Sequence, residues 1–314
     1  MKVLFKYIFI VILISGSLST LFFYAINTGL RKQKVDIYGK LNELILGKEN
    51  FDIAFIGSSR VNLTVNPAVI DSVSHLNSFN FGFDGANIVD FSMYVEAYIK
   101  AHTMPKLMVL NIDPKTFNVG DELKFPPSKY LPYIDHKEIY DTLNRYSKWP
   151  FVTKYLPFVA TSFYTDAIVN QSFQAYISPD RKMENYYKGF SPLTKVWSRG
   201  DQSAADLVPV VYTIKGMALF RNLLKNIKDR QINLQLIYVP QYHFAKYARE
   251  HEEYIKKLEA IASEFNYTII DYCKMDLCGD KKNFFDGTHL NLTGADLFSK
   301  KLGADIDSLV RNKF

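Results

Sequence analysis

Two short segments, far apart in the sequence, carry the residue types that nucleophilic catalysis requires. The first is residues 57–60 (GSSR), directly after an apolar run, and the second is residues 286–289 (DGTH), close to the C-terminus. A carboxylate three residues before a histidine can fix the imidazole tautomer, while the other ring nitrogen takes a proton from a serine. The two segments therefore predict a triad in which Ser59 is the nucleophile, His289 the general base and Asp286 the residue that orients the imidazole.

Both segments also have a simpler structural interpretation. Gly-Ser-Ser is a common turn and helix cap, and Asp286 could cap a turn as Thr293 caps the helix after it. Capping explains Thr293 but gives no reason for His289. Arg60 is equally ambiguous, since a cation directly after the nucleophile either contacts a substrate carboxylate or is a charge on a helix surface.

The elements that would position these residues follow an alternating pattern. Short apolar runs alternate with amphipathic stretches, which predicts a parallel sheet covered by helices, because parallel strands are buried on both faces. Ligands gather at the carboxyl ends of such strands, where Ser59 lies. The predicted strands are residues 51–57, 78–81, 107–112, 232–239 and 267–271, and the predicted helices include 88–99, 217–227, 245–265 and a final helix through Leu309.

The region 115–214 interrupts this alternation. It is rich in Tyr, Phe and Pro and contains no clear strand. A segment of this length is too long for a simple loop, so we expect a helical insertion within a larger domain that spans residues 51–314.

An uncharged apolar segment at residues 7–27 (YIFIVILISGSLSTLFFYAIN) precedes this domain. About twenty such residues form a helix long enough to cross the hydrocarbon core of a membrane. Because the segment ends in residues 22–25 (FFYA) and not in a small-residue cleavage site, we predict an uncleaved anchor over residues 1–30, followed by a polar connector over 31–50. Basic residues flank both ends of the segment, so the positive-inside rule does not fix its orientation.

The composition of the 314-residue chain limits the classes of partner and cofactor. The chain is 48% hydrophobic and 22% charged, which suits a folded core, and its net charge of +6 is scattered, which argues against nucleic-acid binding. The two cysteines, Cys273 and Cys278, have no neighbouring ligands with zinc-site spacing, so we expect no metal and no other cofactor. In an oxidising compartment these two thiols could form a disulfide; otherwise they remain reduced.

Taken together, the segments resemble the SGNH hydrolase superfamily, also called the GDSL family. Its first sequence block, Gly-Asp-Ser, matches residues 57–59 with Ser58 in place of the acid; its second, a glycine after the second strand, matches Gly82; and its last, Asp-x-x-His, matches residues 286–289. The resemblance implies a three-layer α/β/α sandwich with a five-stranded parallel sheet of the SGNH or flavodoxin-like type. It also implies that the main-chain N–H groups of Ser59 and Gly82 bind the oxyanion.

The third block departs from the family pattern. The family has Gly-x-Asn-Asp after the third strand, and the asparagine side chain donates to the oxyanion. This chain has residues 110–114 (LNIDP) there, so Asp113 takes the asparagine position in the simplest alignment, and Asn111 serves only if the turn shifts by two residues. An ionised Asp113 would repel the oxyanion, and losing one donor of this kind costs on the order of 10²–10³ in rate.

The Gly-Ser-Ser variant behind a signal anchor is also similar to a subgroup that includes the D-alanyl transfer protein of teichoic acid modification and the alginate O-acetylation proteins. This resemblance implies a single-pass protein of the cytoplasmic membrane with its domain in the periplasm or outside the cell, and a membrane-bound O-acyltransferase as partner. Two N-glycosylation sequons, at residues 62–64 and 291–293, lie within the predicted site, which favours a bacterial envelope over a eukaryotic secretory pathway.

These inferences lead to two alternative functions. The first is a serine-dependent transferase or hydrolase that adds or removes acyl groups on a cell-envelope polysaccharide or other glycan through an acyl-Ser59 intermediate. The second is a non-catalytic envelope assembly or binding module of the same fold. The altered third block favours the second alternative, and the pair of Asp286 and His289 favours the first.

Overall fold

The structure, a computed structural model, describes the chain except residues 121–122, 124–125, 148–149, 179–180, 182, 185, 199–210, 243–249 and 312–314. The chain divides into two compact units. The N-terminal unit contains Met1–Leu46 and Gly120–Lys182, and the sheet unit contains Gly47–Val119 and Met183–Phe314. In chain order the described helices are α1 (Lys2–Leu30), α2 (Asp36–Leu46), α3 (Ser59–Asn62), α4 (Pro67–Ser74), α5 (Ile88–Ala101), α6 (Lys137–Tyr146), α7 (Pro150–Tyr155), α8 (Pro157–Ala160), α9 (Asp166–Ile177), α10 (Ile214–Asp229), α11 (His251–Ser263) and α12 (Leu292–Arg311).

The sheet unit is built on a five-stranded parallel sheet with the strand order β2-β1-β3-β4-β5. Its strands are β1 (Ile53–Gly57), β2 (Ser78–Gly82), β3 (Leu107–Asn111), β4 (Leu234–Tyr238) and β5 (Ile269–Asp271). All neighbouring strands are parallel, so they all end at the same edge of the sheet. The order is flavodoxin-like. The predicted α/β sandwich is confirmed, and each observed strand lies inside a predicted strand or extends it by one residue.

One face of the sheet is covered by α4 and α12, which pack against each other. Alternate residues of a strand point to opposite faces. Ile53 and Phe55 of β1 therefore join a buried cluster with Val109, Ile237 and apolar residues of these two helices. Burying one such side chain contributes about 1.5–3 kcal/mol to folding, so this cluster holds the strand that leads into Ser59.

Helices α5, α10 and α11 form the other helical layer of the sheet unit. Helix α5 packs on β1, and α10 packs on both α5 and α11. Helix α5 begins at a capping box, in which the side chains of Asn87 and Asp90 bond reciprocally to main-chain N–H groups. Helix α11 lies within the predicted helix 245–265, whose first residues are outside the described part of the chain.

The N-terminal unit contains α1, α2 and helices α6–α9. Helix α1 has a mean hydropathy of 2.2 in its most apolar window and is long and apolar enough to cross a membrane. The prediction of one such N-terminal helix is confirmed for the described residues. The predicted connector contains α2, and the described part of the predicted insertion contributes α6–α9, of which α8 and α9 pack along α1.

Candidate active site

Ser59 lies where the interior strand β1 ends and the short helix α3 begins. Ser58 is the N-cap of α3, and its hydroxyl accepts a hydrogen bond of 3.2 Å from the N–H of Arg60. Ser59 is therefore the first helical residue, and its N–H has no acceptor within the helix. This position presents a partly exposed serine at the carboxyl edge of the sheet.

Asp286 and His289 lie in a tight loop that precedes α12. A β-bridge between Phe284 and Leu290 closes the base of the loop. Within the loop, the Asp286 carboxylate accepts hydrogen bonds from the main-chain N–H groups of Thr288 at 2.8 Å and His289 at 2.9 Å. The loop backbone thereby fixes the carboxylate in the orientation in which it meets the imidazole.

The structure brings the three predicted triad residues together, although Ser59 and His289 are 230 positions apart in the chain. Ser59 Oγ lies 2.9 Å from His289 Nε2. His289 Nδ1 lies 2.9 and 3.0 Å from the two carboxylate oxygens of Asp286. A proton on Nδ1 is donated to the carboxylate, which leaves a lone pair on Nε2 to accept the serine proton. This arrangement can activate a serine for attack on a carbonyl carbon.

The environment of Asp286 keeps its carboxylate ionised. Burial alone raises the pKa of this carboxyl, but the hydrogen bond and charge of His289, together with the main-chain N–H groups of Thr288 and His289, lower the pKa to about 2. The side chains of His289 and Asp286 are 22% and 24% exposed, so solvent reaches the pair. An ionised Asp286 can stabilise the imidazolium that forms when His289 takes the serine proton.

Gly82, the second predicted oxyanion donor, lies at a close contact between β2 and α3. A Cβ atom at this position would be 2.3 Å from the main-chain nitrogen of Asn62, so no larger residue fits without movement. The N–H of Gly82 donates to Asn80 Oδ1 at 2.9 Å. Gly82 pairs with Gly57 at the same sheet edge as Ser59. Because its N–H already has an acceptor in the protein, the N–H of Ser59 is better placed to bind an oxyanion.

Asn111 and Asp113, the two candidates in the third block, make contacts between strand ends. Oδ1 of Asn111 accepts a 3.1 Å hydrogen bond from the N–H of Val239, and its Nδ2 lies 3.4 Å from Asp113 Oδ2. The Asp113 carboxylate accepts a short hydrogen bond from the hydroxyl of Ser58. Both side chains are buried. Asn111 and Asp113 therefore connect the end of β3 to the ends of β4 and β1.

Arg60 is buried, in contrast to both interpretations of it from sequence. Its side chain points inward, and the residue is only 4% exposed. Nη2 donates to the carbonyl oxygens of Val239 at 2.5 Å and Pro240 at 3.1 Å, and the guanidinium lies over the ring of Tyr238, 4.7 Å from its centroid. Arg60 thereby fastens α3, and Ser59 with it, to the carboxyl end of β4. Local sequence could not reveal this, because Pro240 is 180 positions away.

A second group of titratable side chains, His251, Asp271 and Cys273, was not predicted. His251 Nε2 lies 2.7 Å from Asp271 Oδ2, and the N–H of Cys273 donates to Asp271 Oδ1 at 3.0 Å. The ligand atoms of the three side chains lie within 4.8 Å of one another, with donor types that transition metals accept. The spacing of the cysteines gave no sign of this group, because His251 comes from α11. The hydrogen bond between His251 and Asp271 accounts for the arrangement without an ion.

No disulfide joins Cys273 and Cys278 in the structure, in contrast to the bond that their spacing allowed. The two thiols have different acceptors: Cys273 Sγ lies 3.8 Å from the carbonyl oxygen of Val239, and Cys278 Sγ lies 3.5 Å from that of Tyr272. Burial raises the pKa of Cys278 to about 12 and that of Cys273 further. Both thiols therefore stay protonated and weakly nucleophilic near neutral pH.

Comparison with known proteins yields similarity to solved structures only. No protein-family model matches the chain, and no curated protein matches it either. Two crystal structures of catalytic mutants of Axe2, an acetylxylan esterase from Geobacillus stearothermophilus, each align with 81% of this chain and 91% of their own, at 9% and 12% identity and a TM-score of 0.37. A similarity of this size does not by itself establish a shared activity.

Proposed function

We propose that the chain is a membrane-anchored, serine-dependent acyl-ester enzyme of the cell envelope, with Ser59 as the residue that carries the acyl group. The observation that supports this most directly is the hydrogen-bonded path from Ser59 Oγ through His289 to Asp286. Helix capping accounts for Ser58 and turn geometry for the Asp286 loop. Neither accounts for an imidazole nitrogen 2.9 Å from a serine hydroxyl at the carboxyl edge of the sheet. The resemblance to the SGNH sequence blocks implies the same roles for these residues.

In the proposed first half-reaction, His289 Nε2 takes the Ser59 proton as Oγ attacks the ester carbonyl carbon. The carbonyl electron pair moves onto oxygen, where the Ser59 N–H donates to it, and Asp286 stabilises the imidazolium. Collapse of this adduct breaks the bond to the leaving oxygen, which receives the proton from His289. In the second half-reaction, His289 deprotonates an acceptor hydroxyl, whose oxygen attacks the acyl carbon. The bond between that carbon and Ser59 Oγ then breaks, and His289 returns the proton to Ser59 Oγ.

The acceptor in the second half-reaction decides between hydrolysis and transfer. Water as acceptor gives deacylation, and a sugar hydroxyl gives O-acylation. We assign a cell-envelope glycan as the acylated polymer, because the chain carries a helix fit to anchor it at a membrane. This helix, the Gly-Ser-Ser variant and the architecture together resemble those of envelope O-acylation proteins. In the transfer reaction, a membrane-bound O-acyltransferase is the partner that would supply the acyl group.

The retention of α1 as an anchor is part of this proposal. Its C-terminal half has partners in the N-terminal unit: Ser172 Oγ donates to the carbonyl of Ile26 at 2.9 Å, and the hydroxyl of Tyr164 bonds to the side chain of Asn27. Asn27 is buried. Cleavage after α1 would expose these groups and remove the helix on which α8 and α9 pack. The proposal also includes a location of the sheet unit outside the cytoplasm, where an envelope glycan is accessible.

A fluorophosphonate probe tests the nucleophile. Such probes react with serines that a base has activated, so the full-length protein should label, and Ser59→Ala and His289→Ala should each reduce labelling to background. Ser263→Ala is the control, since it removes an exposed serine hydroxyl at the end of α11 that bonds only to the carbonyl of Ala260; it should retain labelling. Labelling that persists in Ser59→Ala would refute the assignment of the nucleophile.

One observation favours the second candidate function, a non-catalytic envelope module. The N–H of Gly82 and the side chains of Asn111 and Asp113 are all bonded within the protein, so the oxyanion would depend mainly on the N–H of Ser59. A single donor stabilises a tetrahedral adduct less than two or three do. If wild-type protein shows no labelling and no ester turnover, even in membranes that contain its partner, the non-catalytic function replaces the enzymatic one.

A further inference from the structure

The N-terminal unit exposes large apolar side chains directly beside α1. They lie in residues 150–163 (PFVTKYLPFVATSF), which comprise α7, α8 and the 3₁₀ turn Thr161–Phe163, and which we call the apolar segment. Its exposed side chains are Phe151 (61%), Tyr155 (56%), Leu156 (40%) and Phe158 (45%). Contiguous exposed apolar surface of this kind marks a site of contact with another apolar phase or partner.

The apolar segment contacts the middle of α1. Ser19 Oγ donates to the carbonyl of Phe158 at 3.2 Å and lies 2.8 Å from Thr161 Oγ1. Along the same side of α1, the ring of Phe23 stacks with that of Tyr164. The segment therefore lies at the level of Ser19 and Phe23, well before the basic residues that follow α1.

The position of Ser19 fixes the depth of this contact if α1 spans a membrane. At a rise of about 1.5 Å per residue, Ser19 lies about 27 Å from Met1 and about 18 Å from Arg31 along the helix axis. A hydrocarbon core is about 30 Å thick. A core that begins at Met1 extends beyond Ser19, and a core that ends at Arg31 also includes it. In either placement, Phe158 and Thr161 are at hydrocarbon depth.

We propose that the apolar segment enters the bilayer beside α1 and is covered by lipid acyl chains in the leaflet next to the N-terminal unit. The occupant of this surface is lipid, because the exposed side chains of the segment continue the lipid-facing surface of α1. That surface includes Leu18, Leu21 and Phe22, which are 62%, 66% and 40% exposed. This inference rests on the proposed anchor but not on the proposed chemistry of Ser59.

The polar groups of the segment suit this environment. In lipid, main-chain and hydroxyl groups need partners within the protein. The hydroxyls of Thr153, Thr161 and Ser162 each donate to a carbonyl within the segment, at 3.0, 2.8 and 2.7 Å. The one charged residue of the segment, Lys154, lies over the ring of Tyr140 at 4.3 Å, and its long side chain can reach the headgroup region.

Helix α9 continues the surface towards the headgroups. Its exposed apolar residues include Phe173 (51%), Tyr176 (43%) and Ile177 (75%). The hydroxyl of Tyr176 donates to the carbonyl of Ala25 at 2.8 Å, and the ammonium of Lys32 lies over the Tyr176 ring at 4.4 Å. Tyrosine and lysine are typical of the interface between lipid and water. The side chains that contact α1 are thus apolar near Ser19 and of the interfacial type near Ala25.

Depth-dependent fluorescence quenching tests the proposal in full-length protein reconstituted into phosphatidylcholine vesicles. Phe158→Cys or Phe151→Cys, labelled with the dye NBD, should show blue-shifted emission and quenching by lipids with a nitroxide on the acyl chain. Cys273 and Cys278 are buried, so the introduced thiol is the accessible one. Ile12→Cys in α1 is the lipid-exposed reference. Ile214→Cys, at an apolar residue that is 93% exposed in the sheet unit, is the matched control and should remain unquenched.

Each result decides between different possibilities. Quenching at positions 158 and 151 but not at 214 supports the proposal. Water-like emission at 158 and 151, with quenching at 12, overturns it and leaves the anchor intact. Blue-shifted emission at 158 without quenching by any lipid probe also overturns it, because a protein surface then covers the segment. Absence of quenching at position 12 refutes the anchor on which the inference rests. Fluorophosphonate labelling of Ser59 is independent of all four results.

Discussion

Ser58 and Asp113 show how single residues shape the site without reacting. Both depart from the SGNH sequence blocks, one with a serine in place of an acid and the other with an acid in place of an asparagine. In the structure the two departures meet in one buried hydrogen bond, from the Ser58 hydroxyl to the Asp113 carboxylate. The Asp113 side chain therefore accepts hydrogen bonds from the Ser58 hydroxyl and, at 3.1 Å, from the N–H of Lys115. The sequence alone predicted that Asp113 would repel an oxyanion, because it does not show that the carboxylate accepts a hydrogen bond from Ser58.

The carboxyl group of Asp286 yields a prediction of pH dependence. Its pKa is lowered from 3.8 to about 2 in the folded protein, because the hydrogen bonds and charge of the loop outweigh the effect of burial. A lowered folded-state pKa gives stability that is present above the unfolded-state pKa and is lost as the pH falls through the folded-state value. The melting temperature of wild-type protein should therefore exceed that of Asp286→Asn above about pH 4, and the difference should close towards pH 2. A difference that stays constant over this range would contradict the assigned shift.

At the scale of elements, the contact between β2 and α3 sets the position of Ser59. The Cβ of an alanine at position 82 would lie 2.3 Å from the main-chain nitrogen of Asn62, in the same short helix as Ser59. The backbone must move to relieve this, at a cost of about 1–3 kcal/mol for overpacking. Gly82→Ala should therefore lower the melting temperature and strongly reduce fluorophosphonate labelling, because Ser59 moves relative to His289.

Gly279→Ala is the matched control for this substitution. A Cβ at position 279 meets nothing within 4 Å, and the residue lies in the sheet unit, as Gly82 does. It should leave both melting temperature and labelling near wild-type values. Equal behaviour of the two variants would mean that α3 is not held by the contact at Gly82.

The elements also show which parts of the site the sequence could predict. The strands were predictable because a strand buried on both faces has a continuous apolar run, as in β3. The proximity of Ser59 to His289 was predictable because the types and neighbours of these residues are those of a known chemical arrangement. The inward direction of Arg60 and the partner of Asn111 were not predictable, because both depend on Val239, which directly follows β4 and is distant in the sequence. The N–H of Gly82 donates to the side chain of Asn80, which is only two positions away. Whether this N–H bonds to Asn80 or to an oxyanion depends on the folded geometry, so the sequence could not predict it.

For the whole molecule, the main result that sequence did not provide is the grouping of Gly120–Lys182 with the N-terminal helix. The sequence indicated an insertion in the α/β domain, because the alternation of strands and helices stops and then resumes. It could not indicate what the insertion packs against, since the contacts join positions more than a hundred residues apart, such as Tyr164 and Asn27. The apolar helix is therefore part of a compact unit in addition to being a candidate anchor.

Two glycines of α1 test this integration. A Cβ at Gly29 would lie 2.1 Å from Ser172 Oγ and 2.7 Å from the Ser172 carbonyl oxygen, whereas a Cβ at Gly16 would meet nothing within 4 Å. If α1 remains in the mature protein and packs against α9, Gly29→Ala should destabilise the N-terminal unit by about 1–3 kcal/mol, as overpacking does. Gly16→Ala should have little effect or slightly stabilise the helix, because alanine has the higher helix propensity. Limited proteolysis in vesicles measures the stability of the N-terminal unit, and we expect faster cleavage within residues 120–182 in Gly29→Ala than in Gly16→Ala. Intact mass shows whether residues 1–30 are retained. A mature chain that lacks residues 1–30 would show that α1 serves only for export. Identical protease resistance of the two variants in a chain that retains them would contradict the packing of α1 against α9.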